Sequence, residues 1–113
     1  MFNKKISIIS ASLLLFGATS FANAEVDVDA AKALAKGNDC TKCHAPDKTK
    51  KGPSWKKTST KYKDNVEAQS KVIEAFTKTR KVKMEDGTES DHKPIETKDV
   101  KEHQNLANWI LSH

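Results

Sequence analysis

The segment Cys40-Thr41-Lys42-Cys43-His44 constrains this chain more than any other feature. Two thiols separated by two residues, followed by an imidazole, match the attachment site of a c-type haem. Each thiol adds across one vinyl group of the porphyrin, and the two intervening residues set the spacing of the sulfurs. The adjacent histidine then lies beneath the iron as an axial ligand. The motif predicts one haem c, bound covalently through Cys40 and Cys43 and ligated by His44.

Other uses of a cysteine pair agree less well with the sequence. A thioredoxin-like redox pair needs a strand–helix context, which the residues around Cys40 do not show. A zinc site needs a second pair of ligands, whereas Cys40 and Cys43 are the only cysteines of the chain. A disulfide across two residues would be strained and would close almost no loop. Haem attachment is the interpretation that uses all three residues.

The N-terminus predicts export from the cytoplasm. A basic start precedes an apolar run from Ile6 to Ala18, and Ala22-Asn23-Ala24 has the small residues of a signal cleavage site. The run is short for a membrane span, so we predict a cleaved secretory signal at 1–24 and one domain at 25–113. Haem attachment in bacteria takes place outside the cytoplasm. We therefore expect a periplasmic protein with no stable membrane insertion after cleavage.

Charge and core size limit the function further. Without Lys4 and Lys5 the formal net charge falls from +5 to +3, and the haem propionates lower it again. This balance argues against nucleic acid as a partner. Large apolar residues are few for a domain of this length, so the porphyrin is expected to form the centre of the core.

The remaining pattern predicts an all-α fold, with three to four helices wrapped around the haem. The first helix is expected at 30–36, capped by Asp27 or Asp29 and ended by Gly37-Asn38, and the second from Ser54 or Pro53 to about Tyr62. The third is expected behind Asn65, and the last behind Asp99. The residues expected on the apolar faces of these last two helices are Val66, Val72, Ile73 and Phe76, and then Val100, Leu106, Ala107, Trp109, Ile110 and Leu111.

The stretch from Thr77 to Lys93 is polar, contains Gly87 and shows no strand-like alternation, so it is predicted to be a long loop. A loop of this length is uncommon in a small domain unless it has a function. Beside a haem, the expected function is to carry the second axial ligand.

With these features the chain resembles the small class I bacterial cytochromes c. The matching segments are a helix that ends at C-x-x-C-H, the run Lys-Gly-Pro-Ser-Trp-Lys-Lys at 51–57, Tyr62-Lys63, and Asn-Leu-Ala-Asn-Trp-Ile-Leu-Ser at 105–112. The resemblance covers nearly all of 25–113.

The resemblance implies roles for three further residues. The carbonyl of Pro53 would accept a hydrogen bond from the ring of His44 and raise its basicity as a ligand. The indole N–H of Trp55 would point toward a haem propionate. Trp109 would pack the last helix against the first, near Leu34. Plain core packing is the alternative for both tryptophans.

The second axial ligand departs from the family pattern. Most members use a methionine in a loop before the last helix. Met84, the only methionine after the signal, lies 25 residues before Trp109, whereas His92 lies 17 residues before it and two before Pro94. In the family, the ligand precedes the corresponding aromatic residue of the last helix by the spacing that His92 has and Met84 lacks. By this resemblance, His92 occupies the family's ligand position. We predict His92 as the ligand, with Met84 second and a five-coordinate iron third.

Two classes of function remain open. A second imidazole lowers the reduction potential relative to methionine, so His92 predicts a low-potential one-electron carrier rather than an enzyme. A weak or displaceable sixth ligand would instead suit a protein that binds or senses a gas.

The expected partners are periplasmic redox proteins, and we expect a monomer. Lysines near the haem segments would steer docking onto acidic surfaces, although an ordinary solvated face has the same pattern; they are Lys42, Lys48, Lys50, Lys51, Lys56, Lys57 and Lys93.

Overall fold

The computed structural model describes residues 25–113, so the predicted signal at 1–24 lies outside the described residues. Within this range the chain forms four α-helices, one 3₁₀ turn and one two-stranded antiparallel sheet. In chain order these are α1 at Val28–Gly37, the turn at Cys40–Lys42, α2 at Trp55–Lys61, α3 at Ala68–Thr77, β1 at Arg80–Lys83, β2 at Glu89–His92 and α4 at Val100–Leu111. The predicted helical fold is confirmed, with the sheet as an addition.

Side-chain caps begin three of the helices at the residues that the sequence indicates. Asp27 accepts a hydrogen bond from the amide of Ala30 at 3.0 Å, and Ser54 accepts one from the amide of Lys57 at 3.0 Å. Asp99 accepts from the amide of Lys101 at 2.8 Å. Each cap satisfies an amide that has no partner within its own helix, which is why these helices begin where they do.

The third helix begins later than predicted. Asn65 does not cap it, because its side chain accepts instead from the amide of Glu67 at 2.9 Å in the preceding turn. Val66 is consequently outside the helix and fully exposed. Val100 was also expected on an apolar face, yet as the first residue of α4 it is 63% exposed.

The segment predicted to be a loop contains a β-hairpin, so that prediction is wrong. Arg80 in β1 lies opposite His92 in β2, and Lys83 lies opposite Glu89 at the other end. Most side chains on both faces are polar and exposed, so the strands lack the apolar alternation that would mark them in a sequence.

The turn of the hairpin explains why these polar residues pair. The amide of Gly87 donates to the carbonyl of Met84 at 3.0 Å, and Gly87 has φ +86°. Asp86 accepts from the amide of Thr88 at 2.9 Å. Because the amide of Met84 also donates to the carbonyl of Thr88 at 2.7 Å, residues 85–87 form a three-residue hairpin loop with a left-handed glycine, and the pair Asp86-Gly87 is its sequence signal.

The core lies between α4 and the other three helices. Trp55 at the start of α2 meets Trp109 of α4 edge to face, with ring centroids 4.5 Å apart. Leu106 is the largest fully buried side chain in the described part of the chain. The buried apolar residues are Ala31, Ala35, Trp55, Val72, Phe76, Ile95, Leu106, Ala107, Trp109 and Ile110. This packing holds α1, which leads into the cysteine motif, against α4.

Candidate functional site

The cysteine motif forms one tight turn directly after α1. The carbonyl of Cys40 accepts from the amide of Cys43 at 3.2 Å and from the amide of His44 at 3.0 Å. Both cysteines are half-buried free thiols. Burial raises the pKa of the Cys40 thiol above its ordinary value, which favours the neutral thiol. The turn therefore presents two thiols and an imidazole from one short, hydrogen-bonded segment.

The orientation of His44 is set by the loop that follows it. Its Nδ1 atom lies 2.7 Å from the carbonyl oxygen of Pro53, the contact that the family resemblance implies. In this contact the protonated Nδ1 donates, which leaves Nε2 free to bind a metal. A second bond, from the amide of Gly52 to the carbonyl of Cys43 at 2.9 Å, closes the loop against the motif.

Gly52 leaves room for the His44 ring. A Cβ atom at this position would lie 2.7 Å from Cε1 and 3.1 Å from Nδ1 of that ring, and 3.3 Å from the carbonyl oxygen of Cys43. The first distance is shorter than any tolerable contact. The absence of a side chain at residue 52 is therefore part of the structure that positions His44.

We expect Gly52→Ala to destabilise the protein by about 1–3 kcal/mol, because the ring of His44 or the loop must move to admit the methyl group. Chemical denaturation measures this, and the visible spectrum reports any movement of the ligand. The control is Gly37→Ala, since nothing lies within 4 Å of a Cβ atom at Gly37. Equal stability of the two variants would contradict the steric role of residue 52.

His92, at the end of β2, lies across from His44. The centroids of the two imidazole rings are 6.3 Å apart, and their planes make an angle of 50°. Two metal–nitrogen bonds of about 2.0 Å place the coordinating nitrogens about 4 Å apart, and the ring centroids about 6 Å apart. The spacing of the two rings therefore fits one metal atom between them.

The surroundings of His92 are also those of a metal ligand. Among the residues from 25 to 113, its Nδ1 is a buried side-chain polar atom with no hydrogen-bond partner, which is uncommon in folded proteins. Burial lowers the pKa of His92, with smaller contributions from the charges of Arg80 and His44. The neutral imidazole that this favours is the form that binds metals.

Met84 does not share this position. It follows β1 at the turn end of the hairpin, where its amide donates to the carbonyl of Thr88 at 2.7 Å. Arg80, the residue opposite His92, is four residues earlier, or about 13 Å along an extended strand. The structure thus brings His92, and not Met84, to the end of the hairpin that faces His44.

Trp55 is buried in the helical core, where its ring packs on Trp109. The predicted contact of its indole N–H with a propionate stays a prediction. Two residues that the sequence analysis did not single out also shape the site. Gly52 could have been recognised from its place directly before Pro53, whereas Asn38, predicted only as the end of a helix, contacts the amide of Glu96 through tertiary structure.

These features define a haem-binding helical domain, and comparison with known proteins identifies its family. The profile of the cytochrome c family matches residues 28–113, so the chain belongs to that family. It is a small monohaem cytochrome c, with haem c attached covalently through Cys40 and Cys43. The thiol pair and the two facing imidazoles fit that group. Within residues 25–113, no helix has the length and apolar composition needed to cross a membrane.

Solved structures of class I cytochromes resemble the chain. The class 1 cytochrome MtoD from Sideroxydans lithotrophicus ES-1 is 48% identical, with 78% of this chain and 97% of that chain covered and a TM-score of 0.74. Wild-type cytochrome c552 from Nitrosomonas europaea is 26% identical, with 72% and 96% covered and a TM-score of 0.58. Its N64Del mutant is 25% identical, with the same coverage and a TM-score of 0.59. No curated protein sequence matches the chain.

Proposed function

We propose that the protein is a periplasmic one-electron carrier of low reduction potential, whose haem c is ligated by His44 and His92. The observation that carries the ligation is the 6.3 Å separation of the two imidazole rings. When bound, haem c supplies an iron atom that gains and loses a single electron. Membership of the cytochrome c family supports electron transfer, rather than catalysis, as the task of this site.

The residues of the chain set the properties of both axial positions. The hydrogen bond from His44 to the carbonyl of Pro53 makes that imidazole a stronger electron donor. A second imidazole, from His92, donates more than the methionine of most family members and favours the oxidised iron. Both effects lower the reduction potential.

The lysines around the site support partners with acidic surfaces. Those near the cysteine motif and the following loop are exposed, and Lys42 forms an ion pair with Asp39 at 3.3 Å. Lys50 donates to the carbonyl of Thr41 at 2.7 Å, which holds its ammonium group beside the motif. We propose that these charges steer a monomer onto periplasmic redox proteins. The apolar run before residue 25 supports export.

A second candidate function, gas binding, is favoured by the hairpin. No residue from 77 to 94 is fully buried, so the segment that carries His92 is held by few apolar contacts. Such a ligand could yield its place to a small molecule.

The purified holoprotein distinguishes the two functions. We expect low-spin spectra in both redox states and no binding of CO to the ferrous form, because His92 occupies the sixth position. His92→Ala is the positive reference, and it should bind CO rapidly. Rapid binding of CO by the unmodified protein would contradict the carrier and support the gas-binding protein.

A further inference from the structure

We infer that Asn38 is a positioning residue, which sets the place of His92 relative to the cysteine motif. This inference rests on the proposed ligation by His92. Asn38 lies at the end of α1, two residues before Cys40, and is half-buried. Its effect on the iron would be exerted entirely through the chain segment that carries His92.

The two ends of the Asn38 amide are both used. Its Nδ2 donates to the carbonyl of Leu34 at 2.9 Å, which holds the side chain against the last turn of α1. Its Oδ1 accepts from the amide of Glu96 at 2.9 Å. Glu96 lies only four residues after His92. The side chain of Asn38 therefore connects the cysteine motif to the segment that carries His92.

Backbone bonds also anchor the hairpin at its two ends. At the turn end, the amide of Glu85 donates to the carbonyl of Lys51 at 3.4 Å. The amide of Ile95 donates to the carbonyl of Phe76 at 2.9 Å, and the side chain of Ile95 is 4% exposed. This bond joins the two ends of the segment 77–94, which contains the hairpin. Asn38 binds the next residue, Glu96, and so connects the end of this segment to the cysteine motif.

The connection between Ile95 and His92 is short and contains a proline. Pro94, with its fixed φ, is half-buried and stands between His92 and Ile95. If Ile95 and Glu96 move away from the cysteine motif, His92 therefore moves with them. A metal–nitrogen bond tolerates only small changes in distance, so this movement would weaken it. Loss of the Asn38–Glu96 bond should therefore favour the detached state of His92.

The chain offers a matched control in Asn105. This half-buried asparagine also uses both ends of its amide on backbone groups, donating from its Nδ2 to the carbonyl of Asp27 and accepting at its Oδ1 from the amide of Asp27, both at 2.9 Å. It joins α4 to the start of α1, away from the hairpin. Asn105→Ala removes the same chemistry as Asn38→Ala without touching the segment of His92.

The experiment compares the holoprotein variants Asn38→Ala and Asn105→Ala by CO binding to the ferrous form and imidazole binding to the ferric form. Both variants should be less stable to denaturant. Only Asn38→Ala should bind imidazole more strongly, by about tenfold, the factor that corresponds to one or two ordinary hydrogen bonds, and only this asparagine variant should gain CO binding. Asn38→Asp keeps the acceptor for Glu96 and should stay near the unmodified protein in ligand binding, even if its stability falls.

Equal ligand binding by Asn38→Ala and Asn105→Ala would overturn the inference. If Asn38→Ala does not fold, ligand binding by Asn38→Asp is used instead. If Asn38→Asp bound CO and imidazole as strongly as His92→Ala does, the role of the Asn38 acceptor would be contradicted. His92→Ala, measured in parallel, separates the two proposals. No gain of CO binding in that variant would refute the proposed ligation, whereas a gain there with none in Asn38→Ala would refute only the role of Asn38.

Discussion

Replacing His92 with methionine is expected to raise the reduction potential by on the order of 100 mV, because a thioether donates less than an imidazole and favours the ferrous iron. His92 faces His44 at 6.3 Å between ring centroids, so under the proposed ligation a residue exchanged there would act directly on the iron. A redox titration followed in the visible spectrum measures the shift. The EPR spectrum of the ferric form reports whether methionine binds.

The control for this prediction is His103→Met. His103 lies in α4, where its Nε2 is 2.7 Å from the carbonyl of Thr97 and its ring packs against Phe76. The substitution is chemically the same but is made outside the proposed ligand pair. A potential that shifts equally in the two variants would refute ligation by His92 and would point to a general effect on the core.

Loss of both thiols is expected to abolish covalent attachment of haem. The double variant Cys40→Ala/Cys43→Ala has no cysteine left, so no thioether can form. Haem should be extracted by acidic organic solvent and should be absent from the protein band on a denaturing gel. Each single variant should retain one bond and a shifted haemochrome band, because one vinyl group remains free.

The same double variant tests the place of haem in the core. Within residues 25–113, the buried apolar side chains are few for a domain of this length, and three of them are alanines. We expect helical circular dichroism and cooperative unfolding to be lost when haem is not retained. Thr41→Ala, between the two cysteines, should keep both bonds and the fold. A double variant with unchanged stability would show that the helices pack adequately without the cofactor.

Local signals in the sequence account for most of the helical structure. Asp99 caps its helix as predicted, and Asp27 and Ser54 do so as one of two predicted candidates each, because a cap depends on bonds within a few residues. The prediction failed at Asn65, whose side chain has two nearby amide groups to choose from and caps the preceding turn. Val66 was misplaced with it.

The hairpin was missed for a related reason. Asp86-Gly87 is a local turn signal, but both faces of β1 and β2 are largely polar. A pattern of alternating apolar residues arises only where one face of a sheet is buried. This sheet covers no helical core, so the periodicity that identifies strands was absent.

The motif at 40–44 was enough to predict the cofactor, its covalent attachment and His44 as a candidate ligand, because adjacent residues in one turn carry all of that chemistry. The resemblance to class I cytochromes c ranked His92 above Met84. The facing of the His44 and His92 imidazoles, the close approach of Gly52 to His44 and the bond between Asn38 and Glu96 appear only in the folded chain. These contacts join residues far apart in the chain, and their partners are set by the packing of helices and the register of a hairpin rather than by local spacing.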